Sequence, residues 1–98
     1  MSDVISWQDA NNSIGQTVTI EDKVFEKIDA GEFWVLFFGA PSSDANTVGI
    51  EIKKSDVSKF PADMYVGKKI RMTGELHSNP MGGGSFSLTD PSQVEVVG

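Results

Sequence analysis

Between residues 16 and 28 the chain reads QTVTIEDKVFEKI, with Val18, Ile20, Val24 and, at its far end, Ile28 on one side and Thr17, Thr19, Glu21 and Lys23 on the other. A period of two predicts a long strand with one buried face. The alternation returns in TVGIEIKK, where Val48, Ile50 and Ile52 face inward. It returns again in KKIRMTGELHS, with Ile70, Met72 and Leu76 inward and Lys69, Arg71, Thr73, Glu75 and His77 outward. A last strand, SFSLTDPSQVEVV, is interrupted at Asp90-Pro91. One stretch breaks the pattern. GEFWVLFFGA, residues 31–40, is apolar on both sides and places Phe33, Trp34, Phe37 and Phe38 within six positions. The tight DAG connection before it predicts a hairpin with the preceding strand. A strand with one wet face alternates, so the second face of this one needs a partner of its own.

Helical signals fill the gaps. VISWQDANNSIG predicts a short opening helix, with Ser6 as N-cap, Asp9 at capping-box spacing and Gly15 at the end. APSSDAN is a polar, proline-containing loop. Ser55 is placed to cap a helical turn, SDVSKFPADM, whose Val57, Phe60 and Met64 can close over apolar ground before Gly67 stops it. The order is helix, three strands, helical turn, two strands. It predicts an all-β fold, a five-stranded Greek-key OB-fold barrel with a short N-terminal helix and a helical turn between strands 3 and 4. Val18, Ile20, Val24, Leu36, Ile50, Ile52, Ile70, Met72 and Leu76 are the expected core.

The segments ISWQDA…IGQTVTIEDKV, F…FG, YVGKKIRMTGEL and SLTDPSQVEVV together resemble a bacterial OB-fold family generally described as nucleic-acid-binding. The resemblance runs from Ile5 to Val97, and its motifs are structural, with no catalytic signature. Two positions depart from it. Asp22 stands where the family usually has the glycine of a strand-bending bulge, and NPMGGG stands where it usually has a polar or basic hairpin segment. The resemblance implies that Gly39 begins an exit loop. That parity sends Trp34, Leu36 and Phe38 inward and Phe33, Val35 and Phe37 outward. Phe25 joins the outer set if the first strand keeps its register through Asp22. The outer face of the first three strands is where OB-folds usually bind ligands.

Flat rings on such a face suit single-stranded nucleic acid, since every base has a π-face and stacking is worth about 1–3 kcal/mol per base. Lys23, Lys53, Lys69 and Arg71 are the candidate phosphate contacts, and His77, the only histidine, is a candidate phosphate or base contact or simply an exposed polar residue. Charge pulls the other way. The net charge is −6; residues 1–51 carry nine acids against Lys23 and Lys27, whereas residues 52–98 carry five acids against six basic residues. An acidic chain does not attract a polyanion at long range. The same face therefore also suits a protein partner or a second copy, or burial beneath the opening helix with Trp7. A third reading has the acidic half mimic nucleic acid in another protein's basic groove.

Other chemistry finds little support. The chain has no cysteine, which excludes disulfides and thiolate metal sites. His77 has no companion ligands at metal spacing. Glu21 and Asp22 sit on opposite faces of a strand and cannot converge, and MGGGS lacks both the lysine of a phosphate loop and the second glycine of a nucleophile elbow. It reads better as a flexible hairpin loop, with Met81 at its tip, that could clamp a ligand. No catalytic residue, metal or cofactor is expected. With 98 residues, no apolar run of membrane-spanning length and no basic-then-apolar start, the expectation is one cytoplasmic, non-enzymatic OB-fold module spanning residues 1–98. Its expected ligand is single-stranded DNA or RNA, bound with little sequence preference, or alternatively a protein, with no membrane association.

Overall fold

The computed structural model describes residues 4–41 (Asn11 by its backbone only), 43–44, 47–61, 63–78 and 84–97. Among the described residues eight strands run in chain order: β1 (Val4–Ile5), β2 (Thr17–Asp29), β3 (Phe33–Phe38), β4 (Val48–Lys53), β5 (Lys69–Glu75), β6 (His77–Ser78), β7 (Gly84–Ser87) and β8 (Val94–Val96). They form one curled half-barrel sheet with neighbour order β6-β7-β4-β3-β2-β5-β8, and β1 adds in parallel to β2. Only Leu76 separates β5 from β6, so a single run of chain pairs with β2 near one end of that path and with β7 at the other. The all-β architecture is consistent with an OB-fold.

The strand count differs from the predicted five, for three local reasons. At Leu76 the backbone N–H donates to the Gln16 carbonyl and the Leu76 carbonyl accepts from Gly15, which diverts the chain between β5 and β6. At Asp90-Pro91 a capping box starts a 3-10 helix, Pro91–Gln93, that splits the last strand into β7 and β8. Asp90 accepts from the Ser92 N–H at 2.8 Å, and the Gln93 side-chain oxygen accepts from the Asp90 N–H at 3.0 Å. The opening segment supplies the eighth strand, because Val4 and Ile5 find the edge of β2 opposite Thr19 and Ile20.

β2 is the spine. Its first half pairs antiparallel with β5, from Thr17 opposite Glu75 to Lys23 opposite Lys69, and its second half pairs with β3. Between the two, a bulge lies between Val24 and Glu26, where one extra residue bends the strand. Asp22 keeps its register opposite Ile70, so the bulged residue, Phe25, falls three positions beyond the glycine position of the resembling family. The bulge also reverses parity. Lys27 now stands opposite inward Leu36, and Ile28 stands opposite outward Val35 and is exposed, correcting its expected inward placement.

All nine expected core residues are buried in one cluster, together with Phe38, Val48, Phe86 and Leu88. A fully buried side chain of this size contributes about 1.5–3 kcal/mol, against about 0–1 kcal/mol for an exposed ion pair. Packing therefore outweighs the surface charge network in holding the sheet. The opening helix is a 3-10 helix, Trp7–Ser13, whose Ser6 cap accepts from the Gln8 N–H at 3.2 Å. The second predicted helix is also 3-10, Lys54–Lys59. Lys53 rather than Ser55 occupies its N-cap position without a side-chain cap bond, and it ends well before Gly67. Phe60 and Met64 beyond it are buried and Val57 packs against the core, as the pattern predicts. Among the described residues no helix is long and apolar enough to cross a membrane. The predicted NPMGGG loop, with Met81, lies outside the described residues except for Gly84. A Cβ built on Gly84 would come within 3.0 Å of three Leu76 side-chain atoms, so that strand start needs glycine.

Candidate nucleic-acid interface

The pairing of β3 with both neighbours settles where its two faces go. Leu36 and Phe38 are fully buried, and Trp34 packs against the core at its margin. Phe33, Val35 and Phe37 point outward and are half-buried. Cross-strand rows then assemble the outer face. One row runs Glu26, Phe37, Gly49, Ser85, His77 across β2, β3, β4, β7 and β6. The next holds Ile28, Val35, Glu51 and Ser87, and the third pairs Phe33 with Lys53. Phe25, in the bulge, is 42% exposed. Thus Phe25, Phe33 and Phe37 share one face with Lys53 and His77, and Ile28, which strand parity places on the inward side of β2, joins them as an exposed apolar neighbour.

Next to Phe33, a shallow open groove is lined by Gly31, Glu32, Phe33, Lys53, Lys54 and Ser55. Gly31 adopts a φ of 87° and donates its N–H to the Asp29 carboxylate at 3.1 Å, which shapes the hairpin at one end of this groove. Lys54, at the wall of this groove, is paired with Asp29 at 2.6 Å and lies 5.4 Å from the Trp34 ring centroid. The bonds from Lys54 and Gly31 hold the Asp29 carboxyl below its ordinary value. Lys27 approaches the same Trp34 ring at 5.1 Å. None of this arrangement around Trp34 was visible in the sequence, because it joins side chains from β2, β3 and the start of the 54–59 helix.

The expected phosphate contacts fall into two groups. Lys23 reaches over the Phe25 ring, 5.5 Å from its centroid, and Lys53 stands opposite Phe33; among the described residues neither makes an ion pair. Lys69 and Arg71 lie farther along β5, and both are engaged. Arg71 Nη2 meets Glu21 Oε1 at 2.7 Å, Arg71 Nη1 meets Glu95 Oε2 at 3.9 Å, and Lys69 Nζ meets Glu21 Oε2 at 3.7 Å. The hydrogen bond from Arg71, with smaller help from Lys69, holds the Glu21 carboxyl below its ordinary value of 4.5. His77 lies 3.6 Å from Glu75 and is exposed at the far end of the Phe37 row. The face is electrically mixed: Glu26 and Glu51 share it with the cations, and Glu51 accepts from the Ser85 hydroxyl at 3.2 Å. Trp7 does not mark this face; it packs over Gly39 at the exit of β3. Among the described residues no group of three or more His, Asp or Glu could hold a metal ion.

No protein-family model matches the sequence, and no curated protein matches it. Solved structures do match in shape. An aspartyl tRNA synthetase from Entamoeba histolytica superimposes with a TM-score of 0.63 at 14% identity, covering 98% of this chain and 21% of the synthetase chain. The p204 HINb domain superimposes with a TM-score of 0.63 at 18% identity, covering 99% of this chain and 47% of the other. The chain thus spans about a fifth of the synthetase and just under half of the HINb chain, and the likeness is one of fold.

Proposed function

We propose that this chain is a non-enzymatic OB-fold module that binds single-stranded nucleic acid through the outer face of β2, β3 and β4, with little sequence preference. One observation carries the reading: Phe25, Phe33 and Phe37 are presented together on one outer face, with Lys23 and Lys53, which make no ion pair among the described residues, beside the first two. Rings would take successive bases, and the two lysines would neutralise phosphates. A shared fold with part of a tRNA synthetase fits this use without specifying it. Such rings stack on the bases of DNA and RNA alike.

Titration of labelled oligo-dT and oligo-U at about 50 mM salt, where electrostatics favour binding most, tests the reading. Phe33→Ala or Phe37→Ala should weaken binding by about 1–3 kcal/mol while leaving the fold intact by circular dichroism. Absence of measurable affinity for either oligonucleotide would end it. A protein-interaction or self-association face is the second reading, favoured by exposed Phe25 and Ile28 standing among Glu26 and Glu51. It predicts that the same variants leave oligonucleotide binding unmoved and instead dissolve a dimer seen by analytical ultracentrifugation or a complex with a protein partner.

A further inference from the structure

Glu21 is held between two cations. It projects from the outer face of β2 between the two cations of β5, with Arg71 at 2.7 Å and Lys69 at 3.7 Å on its two carboxylate oxygens. Its side chain is only a quarter exposed. Lys69 is the register partner of Lys23, whose ammonium stands over Phe25, so the cation row of β5 begins right beside the aromatic face. On charge alone a single strand crossing Phe25 would continue onto Lys69 and Arg71. Glu21 stands in the way with the same charge as a phosphate.

We propose that Glu21 is a specificity-determining residue of the interface, an internal stand-in for phosphate that withdraws Lys69 and Arg71 and leaves Lys23 and Lys53 as the phosphate contacts. The inference rests on the nucleic-acid reading of the face. It also accounts for the ring set being flanked by so little free positive charge in a chain of net charge −6. Arg71 is further committed by Glu95 at 3.9 Å, so a phosphate would have to displace two carboxylates to reach it but only one to reach Lys69.

The test is the salt dependence of oligo-dT binding. Each phosphate neutralised on a single strand contributes about −0.7 to the slope of log K against log salt, so two contacts give a slope of about −1.4 and four about −2.8. Wild type should show the shallower slope, and Glu21→Gln should steepen it toward the larger value and tighten binding several-fold at low salt. Lys69→Gln and Arg71→Gln should change wild-type binding little and should abolish the gain in the Glu21→Gln background. Asp9→Asn, on the opening helix, removes the same charge and should leave the slope unchanged. If wild type binds and loses affinity with Phe33→Ala while Glu21→Gln alters neither slope nor affinity, Glu21 serves only the fold and this inference is overturned with the reading intact. If neither wild type nor Glu21→Gln binds oligonucleotide, both fall. Melting temperatures of all variants separate loss of folding from loss of binding.

Discussion

Gly39 and Trp7 show how much one residue can decide here. Gly39 holds a φ of 85°, donates its N–H to the Lys23 carbonyl at 2.9 Å, and carries the Trp7 side chain directly over its backbone. A Cβ built there would overlap the indole, and the backbone conformation is costly for any L side chain. Gly39→Ala should therefore destabilise the domain by roughly 1–3 kcal/mol. It should also change the near-ultraviolet circular dichroism of Trp7, as thermal and spectroscopic melts can check. At this scale the sequence was informative where a residue type has one dominant use. Leu36 and Phe38 were placed inward and Phe33 and Phe37 outward from the exit glycine and strand parity, and the structure agrees. It was uninformative where partners come from distant elements: nothing in FWVLFF shows that lysines from β2 and from the 54–59 helix meet Trp34.

Among the elements, β2 and the split last strand carry the clearest lessons. The period-two pattern located β2 nearly to the residue, yet the bulge at 24–26 turns Ile28 from the inward side of the alternation to the outer face. A bulge is one extra residue opposite another strand, so it exists only in the pairing and leaves no mark on the spacing of apolar residues. The break at Asp90-Pro91 was legible because its chemistry is local. There the Gln93 side-chain oxygen gathers the N–H groups of Thr89 and Asp90 at 3.0 Å each, and its amide donates to the Ser87 carbonyl at 3.3 Å. Gln93→Ala leaves those donors without their acceptor and should cost about 0.5–2 kcal/mol, in line with other cap losses. Hydrogen exchange should show the loss first in β8, which pairs through Val94–Val96 with β5 alone. Unchanged protection of those amides would show that β8 is held by its ladder without the cap.

For the whole molecule, the acidic carboxylates set an expected pH response. Glu21, Asp29, Asp63 and Asp90 all titrate below their ordinary values of 4.5 for the first and 3.8 for the others. The leading causes are hydrogen bonds from Arg71, from Lys54, from the Tyr65 N–H and from the Ser92 N–H respectively. A carboxyl whose folded pKa is depressed binds fewer protons folded than unfolded, so its stabilisation is complete above the unfolded value. That stabilisation is lost as the pH falls through the folded one. The urea midpoint should therefore hold between pH 7 and 5 and decline from about pH 4.5 downward, less steeply in high salt because Asp29, Asp63 and Asp90 are exposed to screening. A midpoint unchanged down to pH 3 would contradict these pairings.

The sequence by itself determined the strand-forming segments, the inward set from Val18 to Leu76, the interruption at Asp90-Pro91 and the excess of rings in residues 31–40. These depend on periodicity and local hydrogen bonding, which are written in neighbouring residues. Tertiary structure alone decided the bulge parity that exposes Ile28, the clustering of Lys27 and Lys54 on Trp34, and the capture of Lys69 and Arg71 by Glu21. Glu21 and Arg71 are fifty residues apart in the chain and 2.7 Å apart in the fold. Which cations meet a carboxylate is a property of strand register, and register is set by which face of each strand is buried and by the turns that join the strands.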